Sequence, residues 1–225
     1  MTFSTRIVAL LLFLFAAPAL AANQCDNADV VVSADPGTDI GPICEAARKA
    51  IDFLAGIGVP QMKPVVITIR ETIPARHAGS VGCYDNVTAQ VYVKGIDACR
   101  TQPGSTGMFG LEMDEEIYAS VVAHEVAHAI SAQNFRYEKP PVAAWEYIAG
   151  VAQFSVMEAG TRDRILENTR NIGFDSIHQI NGQLYFMVPA VFLASSYLHF
   201  HTPEGGPEFV KAILAGTIRL ADDAE

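Results

Sequence analysis

Two histidines four residues apart, with a glutamate directly after the first, form the strongest chemical signal in this chain of 225 residues. The segment is His124-Glu125-Val126-Ala127-His128. Residues four apart lie on one face of an α-helix, so both imidazoles can bind a single zinc ion (Zn²⁺). In this pattern the glutamate does not bind the metal but faces the bound water, from which it can take a proton. The predicted chemistry is hydrolysis by a zinc-activated water.

A catalytic zinc ion usually has three protein ligands, so the sequence must supply one more. The arrangement with a third histidine, His-Glu-x-x-His-x-x-Gly-x-x-His, is excluded because Ser131 and Asn134 occupy its glycine and histidine positions. Glu146 is the favoured candidate, since it lies eighteen residues after the second histidine on a helix predicted to return antiparallel to the first. Glu138 and Glu158 are the alternatives, although the first lies beside two prolines and the second near a helix end.

Residues 124–128 and 145–149 resemble segments of the gluzincin family of zinc peptidases, in which a glutamate on the next helix completes the metal site. The resemblance implies a zincin-like fold, with zinc held by both histidines and Glu146. It also implies that Glu125 is the catalytic residue and that the substrate is a peptide or protein. Such an enzyme is a hydrolase, more specifically a metalloprotease.

The chain departs from the gluzincin pattern one turn after the third ligand. Many members carry an aspartate there that orients a zinc histidine, whereas this chain has Gly150. We expect Gln153 or a backbone carbonyl to take that role. In some members a tyrosine or histidine also reaches the substrate oxyanion. The candidates here are Tyr185, which we rank first, His199 and His201.

Three functions are compatible with these residues. The first is a zinc peptidase that acts through Glu125. The second is a catalytically weak or inactive zincin-like protein of the periplasm that holds a peptide without cutting it, an alternative that Gly150 favours. The third is a helical structural protein with two core histidines, because a motif that fixes so few positions also arises by chance.

The N-terminal residues predict export from the cell. Arg6 precedes an apolar run at 7–17, and Ala19-Leu20-Ala21 follows with the small residues of a signal-peptidase site. We therefore predict a cleaved signal peptide at 1–21 and a single domain at 22–225. The predicted location is the periplasm or the cell exterior.

Composition restricts the partners of the chain. The net charge of −10 disfavours nucleic acid, because a polyanion would be repelled and no basic stripe with aromatic residues offsets this. No membrane association is predicted after signal cleavage, since Pro189 and two serines interrupt the most apolar later segment, 184–199. The predicted partner is a peptide or protein substrate.

Four cysteines precede the metal motif: Cys25, Cys44, Cys83 and Cys99. An even number in an exported chain predicts two disulfides. Of the three possible connectivities, sequence proximity favours Cys25 with Cys44 and Cys83 with Cys99. A four-cysteine zinc site is disfavoured, because no pair has the close C-x-x-C spacing of such sites.

An α+β fold must position these residues, with a small mixed or antiparallel N-terminal sheet and a mostly helical C-terminal half. Strands are predicted at 28–33 and 65–70, separated by a helix at 39–57. The metal motif lies on a helix predicted at 114–133 with an aspartate as its N-cap. Paired prolines open the next helix at 142–157.

A β-hairpin is predicted within 80–94, upstream of the metal-binding helix. A disulfide between Cys83 and Cys99 would staple it. Zincins keep an edge strand at this point of the chain that pairs with extended peptide substrate, which the resemblance implies for 84–93. An ordinary edge strand protected by a disulfide leaves the same pattern, so the sequence is compatible with both interpretations.

Overall fold

The computed structural model of the chain describes residues 21–26, 29–101, 108–170 and 173–221. The signal peptide predicted at 1–21 lies outside these ranges except for its last residue. Among the helices of the described part of the chain, none has both the length and the apolar character that a membrane span needs.

A mixed sheet of five strands, counted over the described residues, forms the N-terminal part of the fold. The strands are β1 (Ala21–Gln24), β2 (Val30–Ala34), β3 (Val65–Arg70), β4 (Gly82–Asp85) and β5 (Gln90–Lys94). Their order is β1-β2-β3-β5-β4, with β2, β3 and β5 parallel and with β1 and β4 antiparallel at the two edges. The β-branched run of β3 suits the centre of such a sheet. The predicted hairpin is present as β4 and β5, and β4 is an edge strand.

Helices make up most of the remaining described residues. They are α1 (Gly41–Gly56), α2 (Ile96–Arg100), α3 (Glu115–Asn134), α4 (Val142–Val156), α5 (Ala159–Asn168), α6 (Gly182–Met187), α7 (Pro189–Phe200) and α8 (Gly206–Ala215). The apolar segment around Pro189 divides into two helices, because the proline begins a new one. The prediction of an α+β fold with a small mixed sheet and a mostly helical C-terminal half is confirmed.

The helix that carries the metal motif, α3, is the central helix of the fold. It begins where predicted, because the Asp114 side chain accepts a hydrogen bond of 2.8 Å from the Ile117 backbone N–H. Helices α1 and α4 pack on it and strands β4 and β5 contact it, so nearly every residue from Ile117 to Ser131 is buried. Polar side chains in such a helix must find partners, since burying one without a partner is costly.

Small side chains on α4 let that helix approach its neighbours closely. The fully buried alanines are Ala143, Ala144, Ala149 and Ala152. A Cβ atom at Gly150 would lie 2.9 Å from Cδ2 and 3.2 Å from Cα of Leu193, so α7 touches the α4 backbone there. The position at which many gluzincins carry an aspartate therefore has no room for a side chain.

The predicted disulfide between Cys25 and Cys44 is present, with the two Cα atoms 5.5 Å apart. It joins the residue after β1 to the first turn of α1. The bond thus fixes the outermost strand of the sheet, which is otherwise paired only with β2, to the layer of helices.

The second predicted disulfide, between Cys83 and Cys99, is wrong: both cysteines are free and buried. Successive residues of a strand face opposite sides of a sheet, and the Gly82 position faces α3. Cys83 therefore faces the other side, where it packs with Ile73 and Tyr92. Cys99 belongs to the main core instead. The hairpin is not stapled, because the sheet lies between the two thiols.

A buried aspartate holds the hairpin turn in place of the expected disulfide. The Oδ1 atom of Asp85 accepts hydrogen bonds from the backbone N–H groups of Val87 at 2.9 Å and Thr88 at 3.3 Å. The same carboxylate forms an ion pair with Arg76, which lies in a short 3₁₀ helix before β4. These contacts fix the end of the edge strand close to the metal motif.

Candidate metal centre

The two histidines of α3 and Glu146 of α4 form one cluster. The Nε2 atoms of His124 and His128 lie 3.1 Å apart. The Glu146 carboxylate places Oε2 at 3.3 Å from Nε2 of His124 and Oε1 at 3.6 Å from Nε2 of His128. Both histidines are buried and the glutamate nearly so. Two imidazole nitrogens and one carboxylate group, with one oxygen toward each nitrogen, thus form a small triangle at the contact between the two helices.

The size of this triangle matches the spacing of ligands around zinc. In a tetrahedral site with bonds of about 2.0 to 2.1 Å, two ligand atoms lie about 3.3 to 3.4 Å apart. The shortest separations between the three groups are 3.1, 3.3 and 3.6 Å, the last two to different oxygens of Glu146, and they bracket that value. Two imidazoles and one carboxylate also form a donor set that leaves a fourth position for water or substrate, as at catalytic zinc ions.

The two alternative glutamates lie away from the cluster. Glu138 is exposed in the loop between α3 and α4. Glu158 is also exposed, and its backbone N–H donates to the Glu116 side chain at the start of α5. Among the described residues, Glu146 is the carboxylate that joins the two histidines.

A chain of hydrogen bonds fixes the ring of His124. Its Nδ1 atom lies 3.0 Å from Oε1 of Gln153, whose Nε2 atom donates to Oγ of Ser120 at 3.1 Å. The Ser120 hydroxyl donates in turn to the Ile117 carbonyl at 2.8 Å. Because that hydroxyl has one proton, its oxygen must accept from the Gln153 amide, and the amide oxygen must face the histidine. Nδ1 of His124 therefore carries the proton, and Nε2 offers its lone pair to the cluster.

The side chain of Gln153 accepts the hydrogen bond of the His124 ring. The interaction expected of Gln153 is present, and the side chain is completely buried on α4, one turn beyond Gly150. A neutral amide oxygen accepts the histidine proton in place of a carboxylate. Ser120 lies on α3 one turn before His124, and no pattern in the sequence indicates its role.

The other two cluster residues carry the charges that a cation site requires. Burial lowers the pKa of His128 to about 4, so the ring is neutral at neutral pH. Burial alone would raise the pKa of Glu146, but the neighbouring histidines and a hydrogen bond from Tyr185 outweigh it and lower the pKa. Among the described residues, Oε2 of Glu146 is a buried atom without a properly oriented hydrogen-bond donor. A metal ion in the triangle would satisfy that oxygen.

Glu125 lies between the cluster and the edge strand. Its carboxylate accepts a hydrogen bond from the Tyr84 backbone N–H of β4. Burial raises the pKa of Glu125 to about 7, and the negative charge of Glu146 adds to the effect while His124 opposes it. A carboxyl group with this pKa can both accept and release a proton near neutral pH.

The edge strand can approach Glu125 because it has a glycine at the contact point. A Cβ atom at Gly82 would lie 2.9 Å from Cγ and 3.2 Å from Oε1 of Glu125. Any larger residue would push the carboxylate from its position. A glycine inside a strand pattern is the signal in the sequence by which such a close approach could have been predicted.

Tyr185 joins the site from α6. Its hydroxyl hydrogen-bonds to the Glu146 carboxylate, and burial together with that negative charge raises the pKa of the phenol. The hydroxyl therefore stays protonated, and it donates its one proton to the Glu146 carboxylate. Tyr185, the first-ranked candidate for an oxyanion donor, thus lies beside Glu146 and near Glu125, and its role there stays a prediction.

The two C-terminal histidines lie elsewhere. His199 is buried, and its Nδ1 atom is 2.7 Å from the Tyr147 hydroxyl, on the aromatic side of α4. His201 is exposed and its ring lies against the ring of Tyr197. Neither histidine belongs to the metal cluster found among the described residues.

A family model matches the chain over residues 30–223. The chain belongs to a family of unknown function, DUF6639. A search of curated proteins and a search of solved structures found no match. The matched range contains the whole candidate metal centre, strands β2 to β5 and all the helices described above. Since the family description assigns no activity, the function must be argued from the site.

Proposed function

We propose that this protein is an exported zinc-dependent peptidase with a zincin-like catalytic centre. The observation that carries the proposal is the triangle of two imidazole nitrogens and a carboxylate beside the buried Glu125. This arrangement combines three ligands, an open fourth position and a general base, which are the parts that zinc-dependent hydrolysis needs. The disulfide and the predicted signal peptide support an oxidising compartment outside the cytoplasm.

The chain's own residues divide the work of hydrolysis. His124, His128 and Glu146 would hold the ion. Zinc bound there supplies Lewis-acid chemistry, because it polarises a carbonyl oxygen and lowers the pKa of a water molecule from 15.7 to about 7. Glu125 takes the proton of the attacking water and delivers it to the amine nitrogen that leaves. Tyr185 would turn its hydroxyl from Glu146, once that carboxylate binds the ion, and donate a hydrogen bond to the carbonyl oxygen as negative charge develops there.

The alternative of an inactive peptide-binding protein rests on Gly150. Gly150 would favour that alternative only if the proton on Nδ1 of His124 had no hydrogen-bond acceptor. Gln153 provides the acceptor. The geometry therefore favours the peptidase over the binding protein. A structural protein with accidental histidines is disfavoured by the matched spacing of three ligand atoms on two helices.

Zinc content and hydrolysis of Glu125→Gln test the proposal. We expect purified wild-type protein to carry about one zinc ion per chain and to cleave unfolded proteins. Glu125→Gln should keep its zinc but lose about a hundredfold or more in hydrolysis rate, since general acid–base catalysis contributes about that much. Zinc is measured by plasma mass spectrometry and cleavage by peptide mass spectrometry.

Glu138→Gln is the matched control, because it removes an exposed carboxylate from the same region without touching the cluster. It should retain both zinc and activity. Undiminished hydrolysis by Glu125→Gln would overturn the mechanism. Zinc-loaded wild-type protein that leaves a diverse set of unfolded proteins intact would support the peptide-binding alternative, and a chain without zinc would support the structural one.

A further inference from the structure

A pocket opens directly beside the metal centre, on the side of His128. Its volume is about 210 Å³. Besides the ligands His128 and Glu146, it is lined by His77, Tyr84, Asn86, Val142 and Trp145. The pocket lies between the edge strand with its turn and the first turns of α4. A side chain placed in it would belong to a residue close to the bond being cut.

Aromatic rings form one continuous wall of this pocket. The rings of Tyr84 and Trp145 lie with their centroids 6.3 Å apart. The Trp145 ring packs against two further rings, with its centroid 4.6 Å from that of Phe135 and 6.0 Å from that of His128. Such packing gives the tryptophan one position, so the wall is preformed. Val142 adds an apolar surface at the start of α4.

The charged groups of the lining determine whether the pocket can accept a charged substrate side chain. Among the described residues that line the pocket, Glu146 is the one carboxylate and points into the metal cluster, and none is a lysine or arginine. An anionic side chain would face the Glu146 carboxylate, and a cationic one would lose water to meet a carboxylate already committed to the metal ion, so neither gains a free opposite charge. A neutral apolar or aromatic side chain would bury its surface against the wall at no such cost.

The volume admits one large side chain. An apolar cavity of about 150 Å³ is sufficient to bind benzene. A pocket of about 210 Å³ therefore has room for a phenylalanine or leucine side chain. Glycine and alanine would leave most of it unfilled.

We propose that this pocket selects substrates with a large, neutral, apolar or aromatic side chain next to the cleaved peptide bond. We refer to it as the Tyr84–Trp145 pocket. The inference rests on the proposed peptidase function. It adds the substrate class, which neither the metal-binding residues nor the motif specifies.

Cleavage of a peptide panel tests the selection. The panel contains blocked peptides that are identical except for phenylalanine, leucine, glycine, aspartate or lysine on either side of one bond. We expect kcat/KM for phenylalanine or leucine to exceed that for glycine or aspartate by about tenfold or more, as for other apolar specificity pockets. Equal cleavage of all five would overturn the inference.

Two variants change the pocket without removing a ligand. Val142→Phe fills it and should shift the preference toward small side chains, with zinc content unchanged. Tyr84→Ala removes part of the wall but keeps the backbone N–H that binds Glu125, so it should reduce the preference for aromatic residues. Val87→Ala is the control, since that exposed residue of the hairpin turn does not line the pocket. An unchanged preference in Val142→Phe would contradict the assignment.

A binding measurement separates this inference from the peptidase proposal. Trp145 is the sole tryptophan of the chain, so its fluorescence reports on the pocket. In zinc-loaded Glu125→Gln we expect a saturable emission change with N-acetyl-leucinamide, none with N-acetylglycinamide, and loss of the change when Val142→Phe is added. If the amide of leucine binds in this way but the wild type cleaves no peptide, the proposed side-chain selection stands and the proposed peptidase activity is wrong. If the wild type cleaves peptides without any side-chain preference, the proposed peptidase activity stands and the proposed selection by the pocket is wrong.

Discussion

The metal centre has two sides that are built differently. Toward α4, His124 is fixed by a chain of three buried hydrogen bonds that ends at a backbone carbonyl. Toward β4, Glu125 has a single hydrogen bond to the edge strand, and His128 borders an open pocket. We call these the core side and the cleft side.

The difference assigns a separate task to each side. On the core side, every donor and acceptor of the Gln153 chain has a partner, so the orientation of His124 is set before any ligand arrives. On the cleft side, His128 and Glu146 line an open pocket, and the Glu125 carboxylate is held by the edge strand. Changes on the core side should therefore act on metal affinity, and changes on the cleft side should act on turnover.

The largest effect is expected on the cleft side, from Gly82→Ala. The added Cβ would lie 2.9 Å from Cγ of Glu125 and would displace the carboxylate that we propose as the general base. We expect hydrolysis to fall by about a hundredfold, close to the effect of losing a general base, with zinc content unchanged. Steady-state kinetics and metal analysis of the same sample measure both quantities.

Gly95→Ala is the matched control for this substitution. Gly95 has negative φ, and a Cβ there would meet no atom within 4 Å, so activity should be retained. If Gly82→Ala lost zinc together with activity, a change on the cleft side would also affect metal affinity, which would contradict the division into two sides.

An intermediate effect is expected on the core side, from Gln153→Leu. The substitution keeps the size of the side chain but removes the acceptor that holds Nδ1 of His124. Zinc affinity should fall by about 10 to 100-fold, the usual range for residues that orient a metal-binding histidine. Competition with a chromophoric chelator measures the affinity.

Gln153→Glu sharpens the same test, because it restores an acceptor of nearly the same shape and should recover most of the affinity. At saturating zinc, kcat of Gln153→Leu should stay within a few-fold of wild type. If Gln153→Leu bound zinc normally but had a low kcat, Gln153 would act on turnover and not on metal affinity, which would contradict this assignment.

The smallest effect is expected from Cys83→Ser, behind the cleft. Because Cys83 packs on the far side of β4 and forms no disulfide, zinc content and turnover should be unchanged. Thiol titration of the denatured, unreduced protein should find two thiols, from Cys83 and Cys99. Finding none would mean that both pairs are oxidised, and the hairpin would then be stapled after all.

Local patterns accounted for much of the fold and most of the cluster. The spacing of His124 and His128, the Asp114 cap and the strand at Val65–Arg70 are properties of short segments, and each was predicted correctly as to element and position. Glu146 was inferred from its helix and its distance along the chain, and the structure brings it to the histidines.

The contacts that the sequence did not reveal depend on how strands and helices pack together, because packing decides which side chains face each other. Proximity in sequence suggested a bond between Cys83 and Cys99, but strand alternation places them on opposite faces of the sheet. Ser120 has a role only because Gln153 reaches it from another helix. The Tyr84–Trp145 pocket likewise combines a strand and a helix that are far apart in the chain.

The most direct test of the account is a crystal structure of the zinc-loaded protein with anomalous data collected at the zinc edge. We predict one strong anomalous peak at about 2.0 to 2.2 Å from Nε2 of His124, Nε2 of His128 and a carboxylate oxygen of Glu146. The fourth position should hold a water within hydrogen-bond distance of Glu125. A chain without zinc at this place, or zinc held by other residues, would contradict the central claim.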